Sequence, residues 1–413
     1  MRSLVTIASC CGDVVRRTAG SIAIFLILGT SPALSHGKAA YSYFVTGTQY
    51  YVAGNPEPVI PLPTPKPEAV QPIVVMGGGP DVDEAYRWMI QQAGIKARPN
   101  NPTGGRFVVI RTTGTDAYDP YFYYSDGSSS TSIPAVDGFV GGAYLGLTSA
   151  ETLIITSRDG ANDKFVNAVV GTADALWIAG GDQSTYINLW KGTELENTIT
   201  KLIKNNVPVG GTSAGANVLA QFVYSAQRGT VTSAQALSDP YNKYMTFDPS
   251  PFSGPSFLSI PVLSDTFVDP HFDSRDRMGR LVSFVSRTIA PGSNSTGCEG
   301  GILKAPQSAR GIGIDVETAL VIQNVGSHYV AQRMTNVSTT SRSAVHFLRP
   351  MSLPATCAAG TPLTMQGVCV QILADSNSFD ITNWWNGAGH GSNTCDYVVN
   401  ETTGVQTPNP IPY

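Results

Sequence analysis

Short apolar runs that end in glycine and alternate with amphipathic stretches constrain this chain more than any other feature. Ile73-Val74-Val75-Met76 ends in Gly77-Gly78-Gly79, Ala175 to Ala179 ends in Gly180-Gly181, and Val207 to Val209 ends in Gly210-Gly211. Arg106 to Arg111 and Glu151 to Thr156 are two further apolar runs, without the glycine ending. Helical patterns separate several of them, over Asp83 to Ala93, Asp163 to Val170 and Leu195 to Lys204. Strands alternating with helices predict an α/β fold with a mostly parallel sheet flanked by helices. Reacting groups in such sheets sit at the C-terminal ends of the strands, which is where the three glycine clusters fall.

The third cluster carries chemistry. In V-P-V-G-G-T-S-A-G-A-N, from Val207, Ser213 falls at the turn between a strand and a helix. Small residues on both sides let the backbone take the strained turn of a nucleophile elbow, which lifts one hydroxyl clear of the sheet. The helix N-terminus and the Ala214 amide favour negative charge on a bound carbonyl oxygen. The plainer alternative is a glycine-rich turn that binds phosphate or merely reverses the chain.

A serine nucleophile needs a base that titrates near working pH, and histidine fits. His271 lies in D-P-H-F-D-S-R-D-R-M-G-R-L, from Asp269 to Leu281, and is the first choice of five histidines. His36, His328, His346 and His390 lack such charged company in sequence. Arg275, Arg277 and Arg280 are dense for a chain with only 14% charged residues. Paired with Asp273 and Asp276 they would form a solvated helix surface. Beside a catalytic histidine, their forked guanidinium groups suit a carboxylate.

Residues 1–35 read as a secretory signal, with Arg16 and Arg17, an apolar core from Ile22 to Leu28, and Ala33-Leu34-Ser35 for cleavage. An uncleaved anchor is the alternative. Without that segment the formal charge is 23 basic against 29 acidic residues, or -6, from -4 for the whole chain. A mildly acidic chain without basic clusters is a poor nucleic-acid binder. Residues 36–71 form a Pro/Tyr-rich linker or surface strap, 72–350 the α/β domain, and 351–413 a Cys-containing C-terminal extension. Within that domain, Thr318 to Gln323, Tyr329 to Gln332 and Ala344 to Leu348 look like a meander closing one sheet edge. Cys298, Cys357, Cys369 and Cys395 suggest two disulfides in an exported chain, with Cys357–Cys369 favoured for its short loop. N-x-S/T sites occur at Asn294, Asn336 and Asn400.

Taken together, G-G-G, G-G-D-Q (Gly180 to Gln183), G-T-S-A-G-A and D-x-H-F-x-x-R-x-R-x-x-R resemble the cyanophycinase family of serine peptidases, in its secreted branch. These are relatives of aspartyl dipeptidase with a class I glutamine amidotransferase-like, flavodoxin-like fold. The likeness covers roughly Ile73 to Gln332. It implies Ser213 as nucleophile, His271 as base and then acid, and a carboxylate to orient the imidazole. Backbone amides at Asp182 and Ala214 would form the oxyanion hole. Gln183, Asp269, Arg275, Arg277 and Arg280 would line the substrate pocket, with Asp269 receiving a substrate guanidinium. The implied substrate is cyanophycin, a poly-aspartate with arginine on each side-chain carboxyl, cut to β-aspartyl-arginine. The implied partners are that polymer or an aspartyl peptide, with no nucleic acid, no membrane after signal cleavage, and a homodimer left open. No metal or organic cofactor is implied.

One departure affects the acid. The family stretch resembles G-I-G-I-D-E, whereas Gly311 to Thr318 reads G-I-G-I-D-V-E-T. Glu317 is the expected acid and Asp315 its rival, since one step along a strand reverses the side-chain face. The aromatic segments Tyr118 to Tyr124 and Trp384-Trp385 would touch substrate or, more simply, pack inside. Rival functions are an aspartyl dipeptidase, an esterase using the order Ser213, Asp269, His328, and an inactive binding protein of the same fold.

Overall fold

The computed structural model describes residues 39–47, 71–94, 105–124, 138–292, 296–336, 338–339, 343–386 and 394–413. The expected signal segment, most of the linker, Asn294 and His390 lie outside the described residues.

The strands, in chain order, begin with β1 (Tyr41–Gly47), β2 (Ile73–Met76), β3 (Arg106–Arg111), β4 (Ser149–Ile155), β5 (Ala175–Ile178) and β6 (Val209–Thr212). Next come β7 (Val223–Tyr224), β8 (Phe247–Asp248), β9 (Thr266–Asp269), β10 (Arg310–Ile314), β11 (Ala319–Val325) and β12 (His328–Met334). The last are β13 (Val345–Pro350), β14 (Met365–Leu373), β15 (Ser378–Asp380), β16 (Trp385–Asn386), β17 (Tyr397–Thr402) and β18 (Val405–Thr407).

The larger sheet has the order β1-β4-β3-β5-β6-β2-β11-β12-β15-β16. Its centre, from β4 to β2, is parallel, and both margins are antiparallel. The parallel strands are apolar on both faces because helices cover both: every residue of β2, β4, β5 and β6 is buried. The helices are α1 (Asp83–Gln92), α2 (Tyr118–Tyr123), α3 (Gly142–Leu145), α4 (Arg158–Asn162), α5 (Lys164–Gly171), α6 (Gln183–Trp190) and α7 (Glu194–Lys204). They are followed by α8 (Ala214–Asn217), α9 (Ser233–Ser238) and α10 (Met278–Arg287). Leu195, Ile199, Leu202 and Ile203 make the buried stripe of α7, each worth roughly 1.5–3 kcal/mol of burial. Glu194 and Glu196 in its first turn and Lys201 and Lys204 in its last complement the helix dipole. Asp163 caps α5, accepting from Phe165 N at 2.8 Å and Val166 N at 3.3 Å.

A second sheet runs β18-β17-β14-β13-β10-β9. The expected three-strand meander is therefore split: β11 and β12 form a hairpin in the larger sheet, while β13 pairs with β10 in the second. The turn at Asp315–Thr318 carries the chain between the sheets. Residues beyond Pro350 supply β14, β17 and β18 to the second sheet and β15 and β16 to the margin of the first. Tyr41–Gly47, within the Pro/Tyr-rich stretch, pairs with β4 as an edge strand.

The disulfides are Cys298–Cys357 and Cys369–Cys395. The favoured Cys357–Cys369 pair does not form. Cys369 lies in β14, with Cys395 across from it just before β17, while Cys357 sits among buried residues with Cys298. Among the described residues no helix is long and apolar enough to cross a membrane.

Candidate active site

Ser213 stands between β6 and α8 with φ 53° and ψ -118°, a conformation few non-glycine residues adopt. The flanking glycines make this turn sterically feasible. A Cβ on Gly211 would lie 2.5 Å from the Gly215 carbonyl carbon, and one on Gly215 would lie 1.9 Å from Ile178 O. Backbone thus packs directly on backbone, and α8 starts immediately behind the hydroxyl.

His271 follows β9 and also has positive φ, 49°. Its Nε2 lies 2.8 Å from Ser213 Oγ. The ring rests on Gly78, where an added Cβ would meet imidazole atoms at 2.5 and 2.6 Å. This is why the first glycine cluster is needed, a role the sequence does not disclose.

Three successive carbonyls at the end of β2 organise the site. Met76 O accepts from Ser213 N at 3.0 Å, Gly77 O from His271 N at 2.7 Å, and Gly78 O from Glu317 N at 3.0 Å. One strand end therefore sets the backbone of all three residues expected to react together. Glu317 sits in the inter-sheet turn at φ 56°. Its side chain, however, makes no hydrogen bond to His271, and among the described residues no carboxylate is bonded to that imidazole. The expectation of a hydrogen-bonded acid is not met. Asp315 is turned away altogether, accepting from Ala344 N at 2.8 Å and lying 3.3 Å from His346 Nε2.

The arginine block behaves differently from a solvated surface. Asp269 is fully buried and bonds Arg280 Nε at 2.8 Å, Arg280 Nη2 at 2.5 Å and Arg277 Nη1 at 3.2 Å. This argues against its expected role: Asp269 does not line the cleft, and its charge is already matched by two arginines, so it is poorly placed to receive a substrate guanidinium. Removing it would strand two buried cations, at a cost of about 3–5 kcal/mol. Arg275 is exposed and has no ion pair among the described residues. Burial, then Arg275 and Arg277, lower the His271 pKa from 6.5 to about 4. The imidazole is thus neutral at neutral pH and able to accept a proton.

Ser213, Ala214, Asp182, Gln183, His271, Arg275, Arg277 and Arg280 share a cleft of ≈ 270 Å³. Asp182 is its single lining carboxylate among the described residues. Gln183 Nε2 donates to Tyr224 O at 3.2 Å, and the Tyr224 ring lies 5.1 Å from the Arg280 guanidinium. Asn217 and Tyr224 also line the cleft and were missed; Asn217 is one helical turn after Ser213, the only signal available. A larger hollow of ≈ 370 Å³, with Glu84, Arg87 and Arg333, holds no paired serine and histidine and lies apart from this chemistry. Among the described residues no group of three or more His, Cys, Asp or Glu is placed to hold a metal.

The other candidates fall elsewhere. His328 lies 3.7 Å from Asp380 and His346 beside Asp315, so both have acidic company that sequence proximity hid. The esterase order does not assemble, because Asp269 is committed to arginines. Tyr118 packs with Tyr121 and Phe122, and Trp384 is buried against Phe347 and Phe379. Asn336 is buried, bonding Asp83 N and Asp81 O, and is not presented as a glycosylation acceptor.

The chain is similar to known peptidases. Residues 143–248, which include Ser213, match the model of peptidase family S51. The cyanophycinase of Trichormus variabilis is 23% identical over 260 residues, spanning 61% of this chain and 73% of that protein. That of Geminocystis herdmanii is 27% identical over 180 residues, 43% and 54% of the two chains. A crystal structure of a peptidase from an acI-B1 Actinobacterium is 18% identical, covers 76% of this chain and 97% of that one, and has a TM-score of 0.43. The chain is thus similar to peptidase family S51 over residues 143–248 and to cyanophycinases over a longer stretch, and these likenesses support a serine peptidase.

Proposed function

We propose that this chain is a secreted cyanophycinase that acts through Ser213 and His271. The supporting observation is the 2.8 Å Ser213–His271 contact inside a cleft with three arginines and one lining carboxylate. Ser213 Oγ attacks the scissile carbonyl while His271 Nε2 takes its proton. The Ala214 and Asp182 amides stabilise the oxyanion. His271 then protonates the leaving amine, and water hydrolyses the acyl-enzyme by the reverse proton route. Glu317 is the acid we assign to the neighbourhood of His271, acting without a hydrogen bond in the free protein.

Arg275, Arg277 and Arg280 suit the substrate's carboxylate, and Asp182, at the rim, takes over the guanidinium role expected of Asp269. We read the β6–Ser213–α8 turn as a nucleophile elbow on a class I glutamine amidotransferase-like sheet. The signal-like residues 1–35 and two disulfides support an oxidising compartment. A cleft of only ≈ 270 Å³ with surplus positive charge favours a second reading, an aspartyl dipeptidase.

The test is incubation of wild type and Ser213→Ala with insoluble cyanophycin, with soluble products identified by mass spectrometry. Release of β-aspartyl-arginine by wild type alone supports the reading. Cleavage of short aspartyl peptides without release from the polymer moves it to the dipeptidase.

A further inference from the structure

Helix α10 starts without a cap of its own. Its N-cap residue, Arg277, carries no side-chain acceptor for a leading amide, and its guanidinium donates instead to Asp269 and Pro270 O. The leading N–H groups of a helix have no partner within it. Two of them are nevertheless paired by hydroxyls from distant segments. Tyr413 Oη accepts from Met278 N at 3.1 Å, and Ser233 Oγ, on α9, accepts from Arg280 N at 3.1 Å.

The same hydroxyls hold the residue before the helix. Tyr413 donates to the Asp276 carboxylate at 2.8 Å, and Ser233 donates to the Asp276 carbonyl at 2.5 Å. Asp276 has φ 46°, an unfavourable conformation that persists because its surroundings fix it. The Tyr413 ring packs edge-on against Phe272 and His346, at 5.6 and 5.9 Å. Phe272 in turn fills the space over Gly313, where a Cβ would meet its ring at 2.6 Å. Burial and the Asp276 carboxylate raise the Tyr413 pKa far above the usual phenol value, so the donor proton stays in place.

We propose that Tyr413 is a positioning residue for the arginine side of the cleft. By capping α10 from outside and pinning Asp276, it fixes the turn from which Arg277 and Arg280 reach the cleft. A phenol suits both tasks, because one oxygen accepts from Met278 while its proton goes to Asp276. The proposal rests on the reading that these arginines recognise a carboxylate.

The experiment compares wild type with Tyr413→Phe, which keeps the ring and loses both hydrogen bonds. Ser213 is labelled with two fluorophosphonates, one neutral and one bearing a carboxylate, and amide exchange is followed over residues 276–281. Exchange at Met278 is expected to quicken about fivefold in the variant, the usual effect of a lost cap. Labelling by the carboxylate probe is expected to slow roughly 3–10-fold, while the neutral probe changes by less than about twofold. A parallel fall with both probes indicates a merely structural role and overturns the proposal, as does unchanged exchange at Met278. A wild-type preference for the carboxylate probe that survives in Tyr413→Phe overturns it alone. Equal labelling of wild type by both probes overturns the arginine reading, and the proposal with it. Ser233→Ala, which removes the other borrowed cap, is expected to repeat the loosening at Arg280.

Discussion

His271 and His346 are joined through Phe272, which follows the first in sequence and packs, tilted, with its ring 5.1 Å from the second. They are held by opposite means. His346 is fully buried, has Asp315 at 3.3 Å and has no serine. His271 is half-buried, has Ser213 at 2.8 Å and has no bonded carboxylate among the described residues. A carboxylate partner gives a histidine two things, a fixed ring and compensation for positive charge. Gly77 O and Gly78 supply the first to His271 through backbone and steric contact. Nothing bonded to it supplies the second; burial, and then Arg275, Arg277 and Arg280, disfavour the charged ring, with Asp269 offsetting them only in part, which is why its proton affinity is low. Orientation and charge compensation are thus separable, and this site has mainly the former.

The largest test of that contrast is removal of the reacting pair. Ser213→Ala and His271→Ala should each lower kcat/KM by about 10⁴-fold or more, and the double variant should be no worse than either. Full activity of either variant, measured by product release, would place the chemistry elsewhere.

The pH profile comes next. His271 works as the neutral base, so protonation as pH falls removes activity. With a pKa of about 4, kcat/KM should stay level down to roughly pH 5 and then fall about tenfold per unit below 4. Arg275→Ala removes one of the charges holding that value down and should move the acid limb upward. An acid limb centred near 6.5 in wild type would mean that a carboxylate does compensate His271.

Asp315→Ala probes the other histidine. It strips the acceptor from Ala344 N and the partner from His346, so stability should drop by about 1–3 kcal/mol in urea unfolding, with kcat of the folded enzyme retained. A selective loss of kcat would instead put Asp315 in the reaction.

The smallest effect is expected at Glu317. Glu317→Gln should cost less than about tenfold in kcat, against about 10⁴-fold where an acid is bonded to the catalytic histidine. A loss near the larger figure would show that Glu317 swings onto His271 during turnover.

The parallel half of the fold was legible because strands covered on both faces read as uninterrupted apolar runs, as at Ile73–Met76 and Ala175–Ile178. Ser213, His271 and the arginines were legible for a related reason: glycine spacing and local charge density are properties of contiguous residues. The second sheet was not, because its strands draw from segments as far apart as Thr266 and Val405, and four-residue β9 has too little pattern to recognise. Asp269 was misassigned because a sequence cannot distinguish a free carboxylate from one neutralised eight and eleven residues on. That Asp315 is engaged elsewhere was hidden because its partners Ala344 N and His346 lie 29 and 31 residues on. Tyr413 was invisible for the plainest reason, since its partner Asp276 is 137 residues away.

The Met76–Gly78 backbone gives the site a shared datum. Ser213 and His271 hang from consecutive carbonyls of one strand end, although they come from different crossovers. When that strand end shifts, nucleophile and base shift with it. Their separation is a difference of two positions measured from one origin, so most of the thermal displacement of the sheet cancels out of it. A reacting distance can therefore stay constant in a protein that moves, without any side-chain link between the two residues beyond the bond that reacts.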